Sequence, residues 1–516
     1  LKERMKPATG SDDSDNSRDA QEMPSLVQGR LLARNAVLNL AGYVVPLVVA
    51  LFTVPILVRG LGVDRLGVLT LTWAAIGYFS LFDLGLGRAL TQRVSAALGG
   101  GRREELAGLT GTALAAMALL GVAGGIVLAA LTPWLVSRVL EVPPSLRAET
   151  VTAFYLLCVS LPFVLLTAGL RSVFEAHQEF AIATVLRLPY AVFNFVAPVC
   201  VLPFSRELGP VVGVLVVGRI ATCAAHWIVA RRRYSFVTMR RRSEFVLPLL
   251  RTGGWMTVSN VVSPLMVNFD RFVIAAILPV SAVAYYAAPY DVVMKLLVVP
   301  GALLGVFFPA FAATFATDRA ATSVLLDRML RCVLLLMFPA ALVLVAFARE
   351  GLGIWIGHDF AAQSTAVVQW LAVGVLINSL GQVAFAAAQA MGRADVTARL
   401  HLIELPIYGV MLVTTIRFFG ITGVAIAWTV RVAVDTVALF VFSARSFGEV
   451  GRVMIRTMCI AGALVAMLGV VAAIDALSLR ASVAALVLAV FIAAVPLILL
   501  SRTERETLTK LVSFSS

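Results

Sequence analysis

Fourteen runs of predominantly apolar residues follow one another along the chain, each bounded by charged residues or by clusters of Gly and Pro. A run of about 20 such residues crosses the hydrocarbon core of a bilayer as a helix. Hydrophobic residues make up 60% of the 516 positions and charged residues only 14%, a composition typical of membrane proteins. The sequence therefore predicts an all-α polytopic membrane protein with about 14 transmembrane helices.

The limits of the runs follow from hydropathy and flanking charge. One run, 281–313, is too long for a single straight crossing, and its prolines predict kinks or an extension beyond the membrane. We predict spans at residues 35–58, 66–86, 107–131, 150–170, 183–203, 209–230, 254–278, 281–313, 332–348, 363–390, 400–419, 421–443, 457–475 and 481–501.

The basic residues indicate which ends of the spans are cytoplasmic. With the N-terminus inside, 30 of the 42 Lys and Arg residues lie on the inner side, 8 on the outer side and 4 within the membrane. Cytoplasmic segments carry such an excess, so both termini are predicted to be cytoplasmic. The most basic loop, 231–251, is interpreted as a topology anchor on anionic membrane lipids, with recruitment of an anionic substrate as the alternative.

The same basic loop divides the first twelve spans into two sets of six. A weak internal repeat supports this division, because a shift of 217 or 218 residues places Arg34 on Arg251 and Pro46 on Pro264. In chain order, the sequence predicts a disordered cytoplasmic tail (1–33), an N-terminal six-helix lobe (34–230), the basic interlobe loop (231–251), a C-terminal six-helix lobe (252–446), two additional transmembrane helices (447–501) and a cytoplasmic tail (502–516).

Enzyme chemistry has little support in the sequence. The five cysteines and four histidines are scattered over separate spans and segments without the spacing of a metal site. No nucleophile, zinc or phosphate-loop motif of any specificity is present. The net charge of +13 is concentrated in the loops, without the soluble binding domain that nucleic acid recognition would need. We expect neither an enzyme nor a nucleic-acid partner, and no cofactor.

One span carries an unusual polar stripe. Asn260, Asn268, Asp270 and Arg271 lie within the run 254–278, and ionisable residues at membrane depth cost about 2.5–3.5 kcal/mol on insertion scales. A helical projection places most of the polar side chains on one side of this helix. The stripe is predicted to face a water-filled cavity, with hydrogen-bonded helix packing as the alternative.

Several segments taken in order resemble a known family. The segments are RNAVLNLAGYVVPLVVALFTVPILVRGLGVDRLGVLTL, YFSLFDLGLGRALTQRVS, VFEAHQEF, NFDRFVIA and AYYAAPYDVVMKL. They are similar to bacterial polysaccharide (O-antigen type) flippases of the multidrug/oligosaccharidyl-lipid/polysaccharide exporter superfamily, over residues 30–446. The resemblance implies two six-helix lobes around a central cavity in the bacterial cytoplasmic (inner) membrane. It also implies alternating access that moves an undecaprenyl-diphosphate-linked oligosaccharide from the inner to the outer leaflet.

Such a substrate needs a hydrated cavity with cationic side chains. The four basic residues within the membrane are Arg219, Arg271, Lys295 and Arg431. All four are candidates for contact with the substrate, together with Asn260 and Asn268.

Two of these four have an acidic residue one turn away on the same helix. Asp291 precedes Lys295 and Asp435 follows Arg431, so both cations are expected to be neutralised locally. Arg219 and Arg271 have no such neighbour and are the first candidates for phosphate or sugar-acid contacts, because Arg binds oxyanions bidentately. The alternative is an interlobe ion pair, for instance between Arg219 and Asp270.

Other polar residues carry secondary hypotheses. Asp83, beside Arg88, is interpreted as part of a structural or gating ion pair. Asp270, Asp291 and Asp435, each near a basic residue within the membrane, are gating or coupling candidates. Tyr286 and Tyr290 either anchor the helix at the interface or stack on sugar rings. Glu404 is the candidate protonatable carboxylate of an ion-coupled cycle, with H⁺ or Na⁺ as the undetermined coupling ion.

The expected partners are the lipid-linked oligosaccharide, anionic membrane lipids and a polysaccharide polymerase or other export component. An ion-coupled multidrug or small-molecule antiporter of the same superfamily is the main alternative. It would favour an acidic cavity, whereas the unpaired membrane residues are basic. A membrane-embedded glycosyltransferase or ligase would need a large outer loop, and the longest outer loops, 132–149 and 349–362, are short.

Overall fold

The computed structural model of the chain describes residues 44–79, 85–234, 237, 269–304, 307, 319–390, 393–446 and 448–495. These ranges are helical and contain no β-strand, which confirms the all-α prediction. The helices are α1 (Val44–Leu61), α2 (Val63–Phe79), α3 (Leu86–Gly99), α4 (Glu105–Trp134), α5 (Arg147–Ala176), α6 (Phe180–Val201), α7 (Leu208–Arg233), α8 (269–277), α9 (Ser281–Val293), α10 (Arg319–Trp355), α11 (His358–Ala390), α12 (Ala394–Ser446), α13 (Gly448–Ala472) and α14 (Leu477–Ala494).

Each of the fourteen predicted spans overlaps a described helix over at least part of its length. Eleven helical segments are long and apolar enough to cross a membrane, and one of them, Arg399–Arg445, contains two predicted spans. The remaining two spans correspond to α2 and to the described part of α8. The additional helix α3 is amphipathic and buries Leu86, Leu90 and Val94 beside α4 and α5. The chain is a multi-pass membrane protein.

A single glycine divides α12 into two spans. Gly420 has φ 57° and ψ −139°, a conformation that only glycine adopts without strain, and the backbone reverses there. Side chains before and after it therefore meet: Arg431 lies over the ring of Tyr408, and His401 lies 3.8 Å from Asp435. The two halves form an antiparallel hairpin.

Two prolines inside helices free a backbone carbonyl, and a side chain from another helix binds each one. Pro289 lacks the N–H that would bond Tyr285, and the Ser364 hydroxyl donates to that carbonyl at 2.7 Å. Pro55 likewise frees the carbonyl of Leu51, to which Trp355 Nε1 donates at 2.6 Å. Membrane helices tolerate proline when neighbouring side chains satisfy the freed group, as here.

The helices pack in two groups. The N-terminal bundle consists of α1–α7, in which α5 packs on α2, α3, α4 and α7; the C-terminal bundle consists of α8–α12, in which α11 packs on α9, α10 and α12. The last two helices, α13 and α14, dock on α10. Arg456 contacts Asp327 at 2.5 Å near one end of α10, and Arg480 pairs with Glu350 near the other.

The two bundles touch at one end of the molecule, called here the closed end. Glu141 N donates to the carbonyl of Ala275 at 2.7 Å, and its own carbonyl accepts from Val280 N at 3.1 Å. Gly67 of α2 lies so close to Val280 that a Cβ would sit 2.1 Å from its carbonyl oxygen. Trp355 bridges the bundles through Leu51. The predicted topology makes this the outer end.

Candidate functional site

A cavity of about 240 Å³ lies between the two bundles, beside the closed end. The N-terminal bundle contributes apolar residues of α1 and α2 together with Trp73 and Phe195, and the C-terminal bundle contributes Asp291, Lys295 and Trp355. The wall therefore combines aromatic rings with one cation and one carboxylate. The buried indole Nε1 of Trp73 has no hydrogen-bond partner among the described residues and remains available as a donor.

Arg271 and Asp291 form an ion pair at the side of this cavity. The Arg271 guanidinium lies 2.5 Å from the Asp291 carboxylate, and the Arg271 side chain is 6% exposed whereas that of Asp291 is 47% exposed. Arg271 thus has no partner on its own helix, as its spacing indicates, but it is paired with a carboxylate of another helix. The partner lies twenty residues away on the next helix, because α8 and α9 run side by side after the turn at 278–280.

Lys295 does not pair with Asp291, contrary to the expectation from their spacing. The chain changes from α-helix to 3₁₀-helix over Met294–Leu297, which rotates Lys295 out of the i, i+4 register. Lys295 is exposed to the cavity and forms no ion pair within the described ranges. It is the cation that the cavity presents.

Tyr286 and Tyr290 belong to the protein core, not to the membrane interface or the cavity wall. Tyr286 is fully buried, and its hydroxyl donates to Asp270 Oδ2 at 2.7 Å. The Arg271 guanidinium lies 5.5 Å from the centre of the Tyr290 ring. Asp270 also accepts from Arg271 N at 2.8 Å. These four residues are a packed polar cluster that fixes α8 against α9, and both tyrosine rings are buried in it.

Arg219 lies far from this cluster, in a second cavity within the N-terminal bundle. Its guanidinium lies 4.6 Å from the centre of the Tyr190 ring. The predicted pair between Arg219 and Asp270 does not form, because Asp270 is occupied by Tyr286 in the other bundle. The structure thus separates the two arginines that sequence analysis grouped together.

A third polar cluster lies within the hairpin of α12. His401 Nε2, a Glu404 carboxylate oxygen and an Asp435 carboxylate oxygen lie within 4.8 Å of one another. Glu404 is 6% exposed, and neither of its oxygens has a hydrogen-bond partner among the described residues. Arg431 contacts the ring of Tyr408 at 5.4 Å and makes no described ion pair with Asp435, which corrects the local pairing expected for them.

This hairpin cluster has the donors that a cation would need. One imidazole nitrogen and two carboxylates are ligand types for metal ions, and two adjacent carboxylates can also share a proton. Glu404 was a candidate from sequence. His401 was missed, although it lies one turn before Glu404 and so faces the same side of the helix.

Three predicted site residues, Asp83, Asn260 and Asn268, lie outside the described residues, as does most of the polar stripe at 254–278. The aromatic part of the cavity wall, formed by Trp73, Phe195 and Trp355, was not predicted from the sequence. A tryptophan within a span, away from its usual place at the interface, was the available signal for Trp73.

Comparison with known proteins gives consistent results. A family model described as polysaccharide biosynthesis protein matches residues 32–315. The chain is 28% identical over 415 residues to a Shigella flexneri protein described as "Putative O-antigen transporter", covering 79% of this chain and 96% of that protein. It is 22% identical over 348 residues to the uncharacterized membrane protein EpsK of Bacillus subtilis, covering 66% and 68% of the two chains.

Solved structures share the fold at low sequence identity. The lipid II flippase MurJ in an inward closed conformation matches with a TM-score of 0.67 and 13% identity, over 89% of this chain and 98% of that chain. An inward-facing multidrug resistance MATE family transporter of the MOP superfamily matches with a TM-score of 0.65 and 14% identity, over 81% and 94%. The relatives and neighbours that carry a functional description are transporters or flippases, which confirms the expectation of a transporter instead of an enzyme.

Proposed function

Because this chain belongs to the polysaccharide biosynthesis protein family, we propose that it is an alternating-access flippase for polysaccharide export. Its substrate would be an undecaprenyl-diphosphate-linked oligosaccharide, moved from the inner to the outer leaflet of the bacterial cytoplasmic membrane. The relative from Shigella flexneri and the fold shared with a lipid flippase support this class of substrate.

The observation that carries the proposal is the cavity between the bundles. A diphosphate needs cations and a sugar needs aromatic faces and hydrogen-bond donors. Lys295 supplies a cation without a counterion in the described structure, and Trp73 and Phe195 supply rings 5.2 Å apart in an edge-on arrangement. Asp291 is paired with Arg271, so Lys295 is the charged lining residue that is left for an anionic head group.

Closure of one end is what a single state of an alternating-access cycle requires. The backbone bonds of Glu141, the close approach of Gly67 to Val280 and the Trp355–Leu51 bond all lie between the bundles at that end. Packing of α2 on α9 adds apolar contacts at the same interface, so an outward-open state would require all of these contacts to separate together. With both termini cytoplasmic as proposed, this state is closed to the periplasm.

The hairpin cluster is the proposed coupling site. Asp435 and Glu404 carry two negative charges when ionised, and Arg431 supplies one nearby positive charge. One further monovalent cation, H⁺ or Na⁺, would complete the charge balance. Tyr408 lies beside this cluster, because the Arg431 guanidinium is 5.4 Å from the centre of its ring.

The test is a deletion strain. Loss of this chain is expected to remove surface polysaccharide and to accumulate lipid-linked oligosaccharide in the inner leaflet, and the wild-type gene should restore export. Lys295→Gln is expected to reduce export with normal protein abundance, whereas the exposed Arg103→Gln should export normally. Normal surface polysaccharide in the deletion strain would refute the function.

Reporter fusions at Arg240 and at the C-terminus test the orientation, and a periplasmic signal at either site would refute it.

A further inference from the structure

The second cavity, of about 180 Å³, lies within the N-terminal bundle between α5, α6 and α7. Each of these helices contributes one arginine to its lining: Arg171, Arg187 and Arg219. We call this cavity the arginine pocket. None of its described lining residues is acidic. Three guanidinium groups therefore line a cavity to which the described residues contribute no carboxylate, and such a lining favours an anion.

Arg219 shows the imbalance most clearly. Its buried Nε has no hydrogen-bond partner among the described residues, and no described carboxylate lies within ion-pair distance. Its main contact is the face of Tyr190, at 4.6 Å from the ring centre. A ring offers less stabilisation to a buried cation than a carboxylate would. Arg171, in contrast, donates Nε to Glu175 at 2.6 Å and is 46% exposed, so it lies at the mouth of the pocket.

The other polar groups of the pocket are used locally. Thr222 Oγ1 donates to the carbonyl of Gly218 at 2.8 Å, and Thr167 Oγ1 donates to the carbonyl of Phe163 at 2.6 Å. His226 Nδ1 lies 2.8 Å from the carbonyl of Thr222. Arg219 Nε is therefore a buried donor that no described group uses, in a lining that contains three guanidinium groups. Their planar forks match the oxygens of a phosphate, to which they bond in pairs.

The position of the pocket along the helices indicates how a ligand reaches it. Arg171 lies five residues before the end of α5 at Ala176, and Arg187 seven residues after the start of α6 at Phe180. At 1.5 Å per residue, both arginines lie about 8–10 Å from the bundle end where α5 joins α6. The predicted topology makes this the cytoplasmic end. A lipid head group of the inner leaflet lies at that depth.

We propose that the arginine pocket binds a phosphate or diphosphate group, carried by a lipid head group or free in solution. This site is separate from the cavity between the bundles. It does not rest on the proposed export function, because phosphate binding here does not require that the chain moves oligosaccharide.

The test measures binding by the purified full chain in a non-ionic, phosphate-free detergent. Inorganic diphosphate, farnesyl diphosphate and farnesol are titrated separately, and both the thermal unfolding temperature and the heat of binding are recorded. Both diphosphates are expected to bind and to raise the unfolding temperature, and farnesol is not. If farnesyl diphosphate binds more tightly than inorganic diphosphate, the site is assigned to a lipid head group. If the two bind equally tightly, the site is assigned to free phosphate groups.

Arg219→Gln and Arg187→Gln are each expected to weaken diphosphate binding about tenfold or more, since each removes charge-assisted hydrogen bonds. Arg219→Lys should retain part of the affinity. The matched control Arg103→Gln, at an exposed position in the loop before α4, should bind as wild type does. Without ligand, Arg219→Gln is expected to unfold at the wild-type temperature or above it, because the change removes a buried charge that lacks a counterion.

Two results would overturn the proposal: no response of the wild-type chain to either diphosphate, or unchanged diphosphate affinity in both glutamine variants. Export in the deletion strain is a separate measurement. A chain that binds diphosphate in the arginine pocket but fails to restore export would refute the proposed function and leave this site in place.

Discussion

The guanidinium of Arg271 lies 2.5 Å from the carboxylate of Asp291, and this pair joins α8 to α9 at the edge of the cavity between the bundles. The pair is asymmetric, because Arg271 is buried whereas nearly half of the Asp291 side chain is exposed. Behind it, Asp270 is held by the Tyr286 hydroxyl and is 1% exposed. Arg271 thus lies between two carboxylates, one inside the protein and one at the cavity.

The first prediction concerns this arrangement. Arg271→Gln leaves the buried Asp270 without a cation, which is expected to destabilise the protein by about 3–5 kcal/mol. The double variant Asp270→Asn with Arg271→Gln should recover most of the loss, because no buried charge remains. The stability of the single and double variants is measured by thermal unfolding of the purified protein and by its abundance in membranes.

The control for this prediction is Arg102→Gln, since Arg102 pairs with Glu105 at an exposed site. Such pairs contribute only about 0–1 kcal/mol, so stability should hardly change. A variant Arg271→Gln with wild-type stability but without export would contradict the structural role of Arg271 and would indicate that Arg271 contacts the substrate.

The second prediction concerns Trp355. Replacing it with Phe keeps the ring but removes the N–H that bonds the Leu51 carbonyl freed by Pro55. The unpaired carbonyl should weaken the closed end by about 1–3 kcal/mol. In a background without the five native cysteines, a cysteine pair at Glu141 and Val280 should then form its disulfide more slowly. Trp370→Phe is the matched control, and equal rates in both variants would contradict the prediction.

The third prediction concerns Gly67. A methyl group there would lie 2.1 Å from the carbonyl oxygen of Val280, so Gly67→Ala should prevent the bundles from meeting at the closed end. Alanine normally stabilises a helix by about 1 kcal/mol relative to glycine, so any loss of closure in this variant is due to the steric clash. Gly469→Ala, which meets nothing within 4 Å, is the control. We expect Gly67→Ala to lose the 141–280 disulfide and export while inserting normally; an unchanged disulfide yield would refute the steric argument.

The fourth prediction concerns pH and Glu179, in the turn between α5 and α6. Burial raises the pKa of this carboxyl, but hydrogen bonds from Tyr234 and Arg233 outweigh burial and hold the pKa below its ordinary value of 4.5. Because the folded pKa is the lower one, the stabilisation is complete above pH 4.5 and is lost as the pH falls through the folded pKa.

Glu179→Gln should therefore lower the unfolding temperature by a constant amount near neutral pH, and the difference from wild type should shrink below pH 4.5. The exposed Glu104→Gln should show no such trend. A difference that persists unchanged into acid would mean that packing at Glu179, not its charge, provides the stabilisation.

Helix number and position were predictable from the sequence because a bilayer imposes a length and an apolarity on every span. The same reasoning located the ionisable residues that hydrocarbon disfavours, Arg219, Asp270, Arg271, Lys295 and Glu404. This reasoning needs only the length, hydropathy and charge of each segment, and these can be read directly from the sequence.

The partners of these residues depended on contacts between helices, which local spacing does not contain. Arg271 pairs with Asp291 of the next helix, Lys295 leaves its helical register at a 3₁₀ turn, and Arg219 lies in a different bundle from Asp270. The reversal at Gly420 brings His401 to Asp435, thirty-four residues later in the sequence. The sequence thus determined which polar groups enter the membrane. Only the packing of the helices decided which opposite charge lies near each of them. This packing matters because charges interact strongly over short distances in the low dielectric of the protein interior.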